Sequence, residues 1–427
     1  MKYATTLLTA SLLTATSAVT AETLQDAWAM ALTSHRQIEA AGAMRDAAQY
    51  EFQEARAARL PQLGLSSSYT AFDEAPGFAL GGIDTGPLFD GDDVVRAGAE
   101  LRLPVYAGGA ISAGIQAAEF GAKAAEDNLA TVIQDVKLGV AQHYVNVLRA
   151  ESAVKVADTY VVSLRSHTDN TRKRYELGDI PQNDYLAASV TLADAEQQLL
   201  QAQNGLDYAR AAYNRILGRP LTASVSLDPA LDIDDLTSQG VTLMQLTETA
   251  RLERHELAAL DSRQNALRRQ ADGVRAGKKP QLSLAGGYTY LENEFLTNDR
   301  FWMAGVSLTW NLFDGGQLRK RSAAIEREAA AMGHKRADLE SMIDLQVRRA
   351  WNDRAEAENR LSVAEAAVGQ ATENLRVVRN RYAAGASTNT EVLDGEALRE
   401  RALSNRDTAR FELELAQLRL ARATGAL

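Results

Sequence analysis

The stretch Leu60-Pro61-Gln62-Leu63-Gly64-Leu65 returns 219 residues later as Lys279-Pro280-Gln281-Leu282-Ser283-Leu284. Tyr69-Thr70 returns as Tyr288-Thr289 at the same offset, and Leu24, Ala31 and Ala40 return as Leu243, Ala250 and Ala259. Farther along the offset is 207: Tyr106-Ala107-Gly108-Gly109 matches Phe313-Asp314-Gly315-Gly316, and Arg174-Tyr175 and Gly178 match Arg381-Tyr382 and Gly385. One unit is therefore written twice, over residues 22–218 and 243–427, with a linker at 219–242. The 12-residue difference between the offsets falls between Tyr69 and Leu101. There the Gly-, Pro- and Asp-rich segment 72–93 reads as a loop.

Each copy reads helix, strand, strand, long helix, helix. Apolar residues at helical spacing, Leu24, Ala27, Trp28, Ala31 and Leu32, begin a helix that runs to about Arg59. Strands are expected at 61–72, 94–106, 280–291 and 300–313. Ala97, Ala99, Leu101, Leu103 and Val105 alternate with Arg96, Gly98, Glu100 and Arg102. Trp302, Ala304, Val306, Leu308, Trp310 and Leu312 alternate with Met303, Gly305, Ser307, Thr309 and Asn311. Strict alternation with aromatics near the ends fits a membrane barrel strand. A half-buried strand of a soluble sheet shows the same pattern. Trp302, Trp310, Tyr288 and Tyr290 suit a lipid interface and are costly in water.

Two helical hairpins complete the units, at 108–217 and 315–423. The first long helix starts at Gly108-Gly109 and meets no proline before its tip. Its length of some 65 residues would span ~100 Å. Each hairpin turns at a glycine, in Tyr175-Glu176-Leu177-Gly178-Asp179-Ile180-Pro181 and in Tyr382-Ala383-Ala384-Gly385-Ala386-Ser387.

The chain of 427 residues carries a net charge of −10 and contains no cysteine. The charge argues against wrapping nucleic acid, and the missing thiols exclude disulfides, thiolate metal sites and cysteine nucleophiles. Met1-Lys2 precedes an uncharged apolar and hydroxyl run that ends in Val19-Thr20-Ala21, the pattern of a secretory signal peptide over residues 1–21. No other stretch reaches the length and apolarity of a membrane-spanning helix, so any membrane crossing must use strands. Four strands cannot close a barrel, and an open sheet in lipid would strand its edge groups at several kcal/mol each. Chains must then share one barrel, and three chains give twelve strands.

Taken together, the duplicated unit, the strand starts at Pro61 and Pro280, the Gly-Gly turns and the two tips resemble the TolC-like outer-membrane efflux protein family over residues 22–427. The resemblance implies a mostly α-helical chain contributing to a trimeric, twelve-stranded β-barrel continued by a periplasmic helical barrel. It implies a Gram-negative outer-membrane location, and an exit duct for efflux or type I secretion. The implied partners are a periplasmic adaptor and an inner-membrane transporter, with no cofactor. It places a pore constriction at Glu391 and Asp394, with Asp184 and Tyr382 holding the closed tips by hydrogen bonds. Rings of like charge there would raise the carboxyl pKa values. Gly178, Asp179, Gly385 and Ser387 are the implied adaptor-docking tips. Ser387 stands where the family's founding member has a basic residue.

Enzyme readings find little support. Gly109 and Gly114 make a G-x4-G, but Ile115-Gln116 replaces the Lys and hydroxyl residue of a phosphate loop. His35, His143, His167, His255 and His334 show no metal-ligand spacing and read as surface helix residues. The competing class is a periplasmic coiled-coil scaffold or adaptor with a small soluble sheet. The outward face of the strands discriminates the two.

Overall fold

The computed structural model describes residues 21–74, 76–87, 92–231, 241–292 and 297–427. The signal-peptide assignment to 1–21 lies outside them, save Ala21 itself, as do parts of the loop and linker (75, 88–91 and 232–240). The first copy comprises α1 (Leu24–Ser34), α2 (Arg36–Ala57), β1 (Gln62–Ala71), β2 (Gly77–Leu80), β3 (Ile83–Pro87), β4 (Asp93–Tyr106), α3 (Ala110–Glu176) and α4 (Gln182–Ile216). The second comprises α5 (Leu243–Glu253), α6 (His255–Ala276), β5 (Gln281–Leu291), β6 (Arg300–Thr309), α7 (Gln317–Ala383) and α8 (Asn389–Thr424).

Three boundaries differ from the sequence reading. The first helix is not continuous to Arg59. It breaks at His35, whose backbone is extended (φ −80°, ψ 120°), and its counterpart breaks at Arg254 (φ −75°, ψ 110°). The break at His35 falls beside the boundary between the two packing units at 36/37, and the break at Arg254 falls inside one of them, eight residues past the boundary at 246/247. The segment 72–93 is not wholly loop. It holds the β2–β3 hairpin, turned by Gly81 and Gly82 at φ 62° and 87°, the paired positive values of a tight two-residue turn. Finally, β6 ends at Thr309 rather than 313.

The duplication extends to the capping chemistry. Thr23 and Asp26 form a reciprocal capping box at the start of α1. Thr242 and Gln245 do the same at α5, with backbone-to-side-chain bonds of 2.9 and 3.3 Å. The two long helices both run 67 residues.

The chain packs as two units, each drawing on both copies. One unit contains residues 37–133 and 247–346 and holds the sheet. Its order is β1-β4-β5-β6, antiparallel throughout. The register sorts the alternating residues onto two faces. Leu65, Ala99, Tyr288 and Trp302 lie in one row, Leu63, Leu101, Gly286 and Ala304 in the next, then Leu103, Leu284 and Val306. The opposite face carries Ser66, Gly98 and Thr289, then Gly64, Glu100 and Gly287, then Gln62, Arg102 and Ala285.

The other unit contains residues 1–36, 134–246 and 347–427. Val136, Val140, Tyr144, Val147 and Leu148 bury one stripe of α3 at helical spacing. Near the chain start, the Tyr144 hydroxyl donates to a backbone carbonyl of Glu22 (2.7 Å) or Asp228 (2.8 Å). Arg219 grips the Glu22 carboxylate with both terminal nitrogens at 2.8 and 2.9 Å, and the Tyr213 hydroxyl adds a third bond at 2.9 Å. Residues expected only to link the copies thus help anchor the first one. Toward the tips, Tyr160, Val161, Leu164 and Ala195 form a further buried cluster.

Candidate functional site

Both hairpin tips lie within the second unit. Each long helix stops the same way. Asp179 N–H bonds Arg174 C=O at 2.8 Å around Gly178 (φ 77°), and Ala386 N–H bonds Arg381 C=O at 2.8 Å around Gly385 (φ 73°). This is the left-handed glycine stop that satisfies orphan carbonyls at a helix end, and any side chain at either glycine would be strained. The returning helices begin differently. Pro181 starts α4 with no side-chain cap, whereas Thr388 caps α8 by accepting from Glu391 N–H.

Glu391 and Asp394 are both exposed, three residues apart on one side of α8. Glu391 is held within its own protomer. Ser387 donates to it at 2.7 Å and Thr388 at 3.4 Å. The Ser387 bond, aided by the Thr388 contacts and the Arg381 charge, holds its carboxyl below the usual range. Inside one chain, the shift therefore runs opposite to the rise expected from crowding in a ring. Ser387 does not leave the tip without a partner for Glu391; it supplies a hydroxyl in place of a cation.

Tyr382 is half-buried. The Arg174 guanidinium sits over its ring at 4.9 Å, and the His167 ring lies at 5.5 Å. Burial pushes its phenol pKa up. The hydroxyl lies near Thr171 and Arg174 without a well-formed hydrogen bond to either. Asp184 engages the second tip through its backbone: Asn389 Nδ2 donates to its carbonyl at 3.0 Å. The structure does not join the side chains of Asp184 and Tyr382 within a protomer.

Asn389 is the residue the sequence reading missed here. Buried at the first turn of α8, it bonds α4 through Asp184 and α3 through His167 Nε2, at 2.7 Å from its Oδ1. His167 is buried rather than on the surface, and burial lowers its pKa against the opposing pull of Asn389 and Glu396. The available signal was the asymmetry between the copies, because the counterpart of Asn389 at offset 207 is the exposed Gln182.

Two turns further, Glu396 has no solvent exposure. It accepts from Ser163 at 3.0 Å, pairs with Arg379 and meets Arg399 at 3.4 Å. This charge network joins α3, α7 and α8 above the tips. Between the tips, His167, Lys173, Arg174, Asp179, Arg379 and Tyr382 line a cleft of about 600 Å³. Its three cations face one carboxylate.

At the sheet, the rings of Tyr288 and Trp302 meet at a tilt of 51° with centroids 5.1 Å apart, and Arg300 caps the Tyr290 ring at 5.6 Å. Trp310 stands at the opposite end, just past β6, its indole N–H donating to Lys278 C=O at 3.0 Å. Eight residues separate the two tryptophans, about 27 Å along a strand, the height of a barrel's apolar band before tilt. Among the described residues no helix is long and apolar enough to cross a membrane, and no group of three His, Cys, Asp or Glu could hold a metal ion.

Comparison with known proteins agrees with this architecture. The model of the family described as outer membrane efflux protein matches residues 28–219 and 246–426. The chain is 27% identical to the outer membrane protein TolC of Vibrio cholerae, over 98% of this chain and 94% of that one. It is 24% identical to the protease secretion protein PrtF of Dickeya chrysanthemi, over 87% of this chain and 81% of that one. The crystal structure of the outer membrane protein VceC from Vibrio cholerae superimposes with a TM-score of 0.79 at 19% identity, over 94% of this chain and 96% of that one. The scaffold reading is set aside: the chain belongs to the outer membrane efflux protein family, whose channels lie in the outer membrane and extend into the periplasm.

Proposed function

We propose that three copies of this chain close one twelve-stranded barrel and form a passive exit duct, fed by a periplasmic adaptor and an inner-membrane transporter. The sheet carries the reading. It has one apolar face, one polar face with Arg96, Glu100 and Arg102, and two edge strands, β1 and β6, which among the described residues have no strand partner on their outer sides. In lipid each unsatisfied edge group costs several kcal/mol, which pairing β6 of one protomer with β1 of the next removes. The apolar rows then meet lipid, with Tyr288, Tyr290 and Trp302 at one interface and Trp310 at the other. Glu391 and Asp394 form carboxylate rings at the pore constriction, and Asp184 and Tyr382 belong to the closed tip. Gly178, Asp179, Gly385 and Ser387 offer the surface to the adaptor, and the basic cleft beside them widens it. Relatives named for protease secretion and for cobalt-zinc-cadmium resistance favour both type I secretion and efflux as the class of task.

The test is the mass of the protein purified in detergent. Three chains per particle are expected, and detergent is needed to keep them in solution. A stable water-soluble monomer would overturn the barrel.

A further inference from the structure

The two strand-to-helix turns are built alike but charged differently. After Tyr106 the first copy runs from Ala107 to Gly114 with no ionisable side chain. The second has Asp314 at the turn and Arg319, Lys320 and Arg321 in the first turn and a half of α7. Lys278 and Lys279 precede β5 at the same end of the sheet. The Asp314 carboxylate is taken up by the N–H groups of Gly316 and Leu318, at 2.8 and 2.9 Å, with Lys278 near it. Among the described residues Lys279, Arg319, Lys320 and Arg321 form no ion pair. Farther along α6 the pattern differs: Arg269 and Arg275 pair with Asp272, and Arg275 with Glu326.

Three successive cations at a helix start oppose the positive end of its dipole, so helix stability does not explain them. Packing does not either. Leu318 lies against Gly277, and the buried Ser322 donates to Ala271 C=O at 3.2 Å, which leaves Arg319, Lys320 and Arg321 outward and exposed. The apolar side chains beside them are bare as well: Leu312 is 78% exposed and Phe313 87%. A bare apolar edge meeting unpaired cations matches the chemistry of a lipid with an anionic headgroup.

We propose that Lys278, Lys279, Arg319, Lys320 and Arg321 form a collar that holds anionic phospholipid headgroups where the sheet leaves the bilayer. The acyl chains lie against Trp310, Leu312 and Phe313. The inference rests on the membrane-barrel reading above and adds a lipid preference to it. Each basic residue near an anionic surface strengthens attraction about fivefold, and the effect is screened within a Debye length.

The experiment uses the full chain in neutral detergent, titrated with phosphatidylglycerol, phosphatidylcholine or inorganic phosphate, with bound molecules counted by native mass spectrometry. Phosphatidylglycerol should bind at least tenfold more tightly than phosphatidylcholine. The preference should vanish in K278Q/K279Q/R319Q/K320Q/R321Q and persist in R348Q/R349Q, elsewhere on α7. High salt should abolish it in the unaltered protein, a readout that does not depend on the variant folding. Equal binding of the two lipids by an intact trimer overturns the collar alone, as does a preference that survives the five substitutions or high salt. Inorganic phosphate binding as tightly as phosphatidylglycerol would mean a free-phosphate site and overturn it too. A water-soluble monomer overturns the collar together with the barrel.

Discussion

Replacing Glu396 with Ala should loosen the hairpin tips without touching the turns themselves. Glu396 has no solvent exposure, whereas Arg379 is 41% exposed and Arg399 19%. Removing one member of a buried pair typically costs 3–5 kcal/mol. The lower end applies, because both guanidinium groups can turn partly to water, and Ser163 loses only one acceptor at 3.0 Å. A loss of ~3 kcal/mol in local opening corresponds to a factor of roughly 150. Amide hydrogen exchange across α8 around Val392–Arg399 should therefore quicken about 100-fold, while exchange around Tyr213 and Tyr144 stays as it was. Glu396→Leu combined with Arg379→Met should recover much of the protection, since an apolar pair of similar volume often replaces a buried ion pair at little cost. Unchanged exchange in the single variant, or a double variant no better than the single, would refute the idea that this network clamps the three helices.

At the tip, burial holds His167 below its ordinary pKa, so the folded protein prefers the neutral ring. That contribution is complete above the unfolded value of about 6.5 and is lost as pH falls below it; tip protection, taken relative to the free-peptide exchange rate at each pH, should fall between pH 7.5 and 5.5, and His167→Gln should flatten the fall. Glu391 is shifted below its ordinary value, so its stabilising bond is present above about pH 4.5 and lost on acidification. Ser387→Ala should move the acid midpoint of cation selectivity upward in planar-bilayer conductance. Glu391→Ala with Asp394→Ala should reduce that selectivity and abolish block by multivalent cations, and Glu400→Ala should change neither. Excising the β2–β3 hairpin, Gly77–Pro87, should leave trimer assembly and export intact; failed assembly on detergent gels would make the hairpin structural.

Most of the architecture was legible because periodicity and duplication are local properties of the chain. The apolar rows through Leu65, Ala99, Tyr288 and Trp302 follow from alternation once the strands are aligned. The breaks at His35 and Arg254 were not legible. Neither residue disfavours a helix strongly. A clue lay in the paired Thr23/Asp26 and Thr242/Gln245 boxes, whose helices end 11 residues later in both copies. The tip turns were readable from Gly178 and Gly385, because only glycine adopts their backbone readily. The contacts of Asn389, His167 and Glu396 were not. Each joins residues more than 200 positions apart, or an acid to bases whose facing depends on helix packing.

The two copies diverge unevenly: length is kept where the helices meet at the tips, and chemistry is not. Both long helices contain 67 residues, and both tips use the same glycine stop. A one-residue change in either helix would shift its tip by about 1.5 Å and rotate its face by 100°, which would break the contacts of His167 and Arg174 with the second tip. The distal end of the sheet bears no such constraint, and the 12 additional residues were admitted there as a hairpin. Within the matched lengths, chemistry alone has drifted. Pro181 faces Thr388 across the repeat, Gln182 faces Asn389, and Ser189 faces Glu396. The second copy carries the buried amide Asn389 and the buried acid Glu396, while the first supplies His167 and the Asp184 carbonyl for the amide and Ser163 for the acid. Neither tip is complete alone. Two identical hairpins would place the same side chains on both, so the divergence at matched positions is what supplies the tips with these asymmetric bonds.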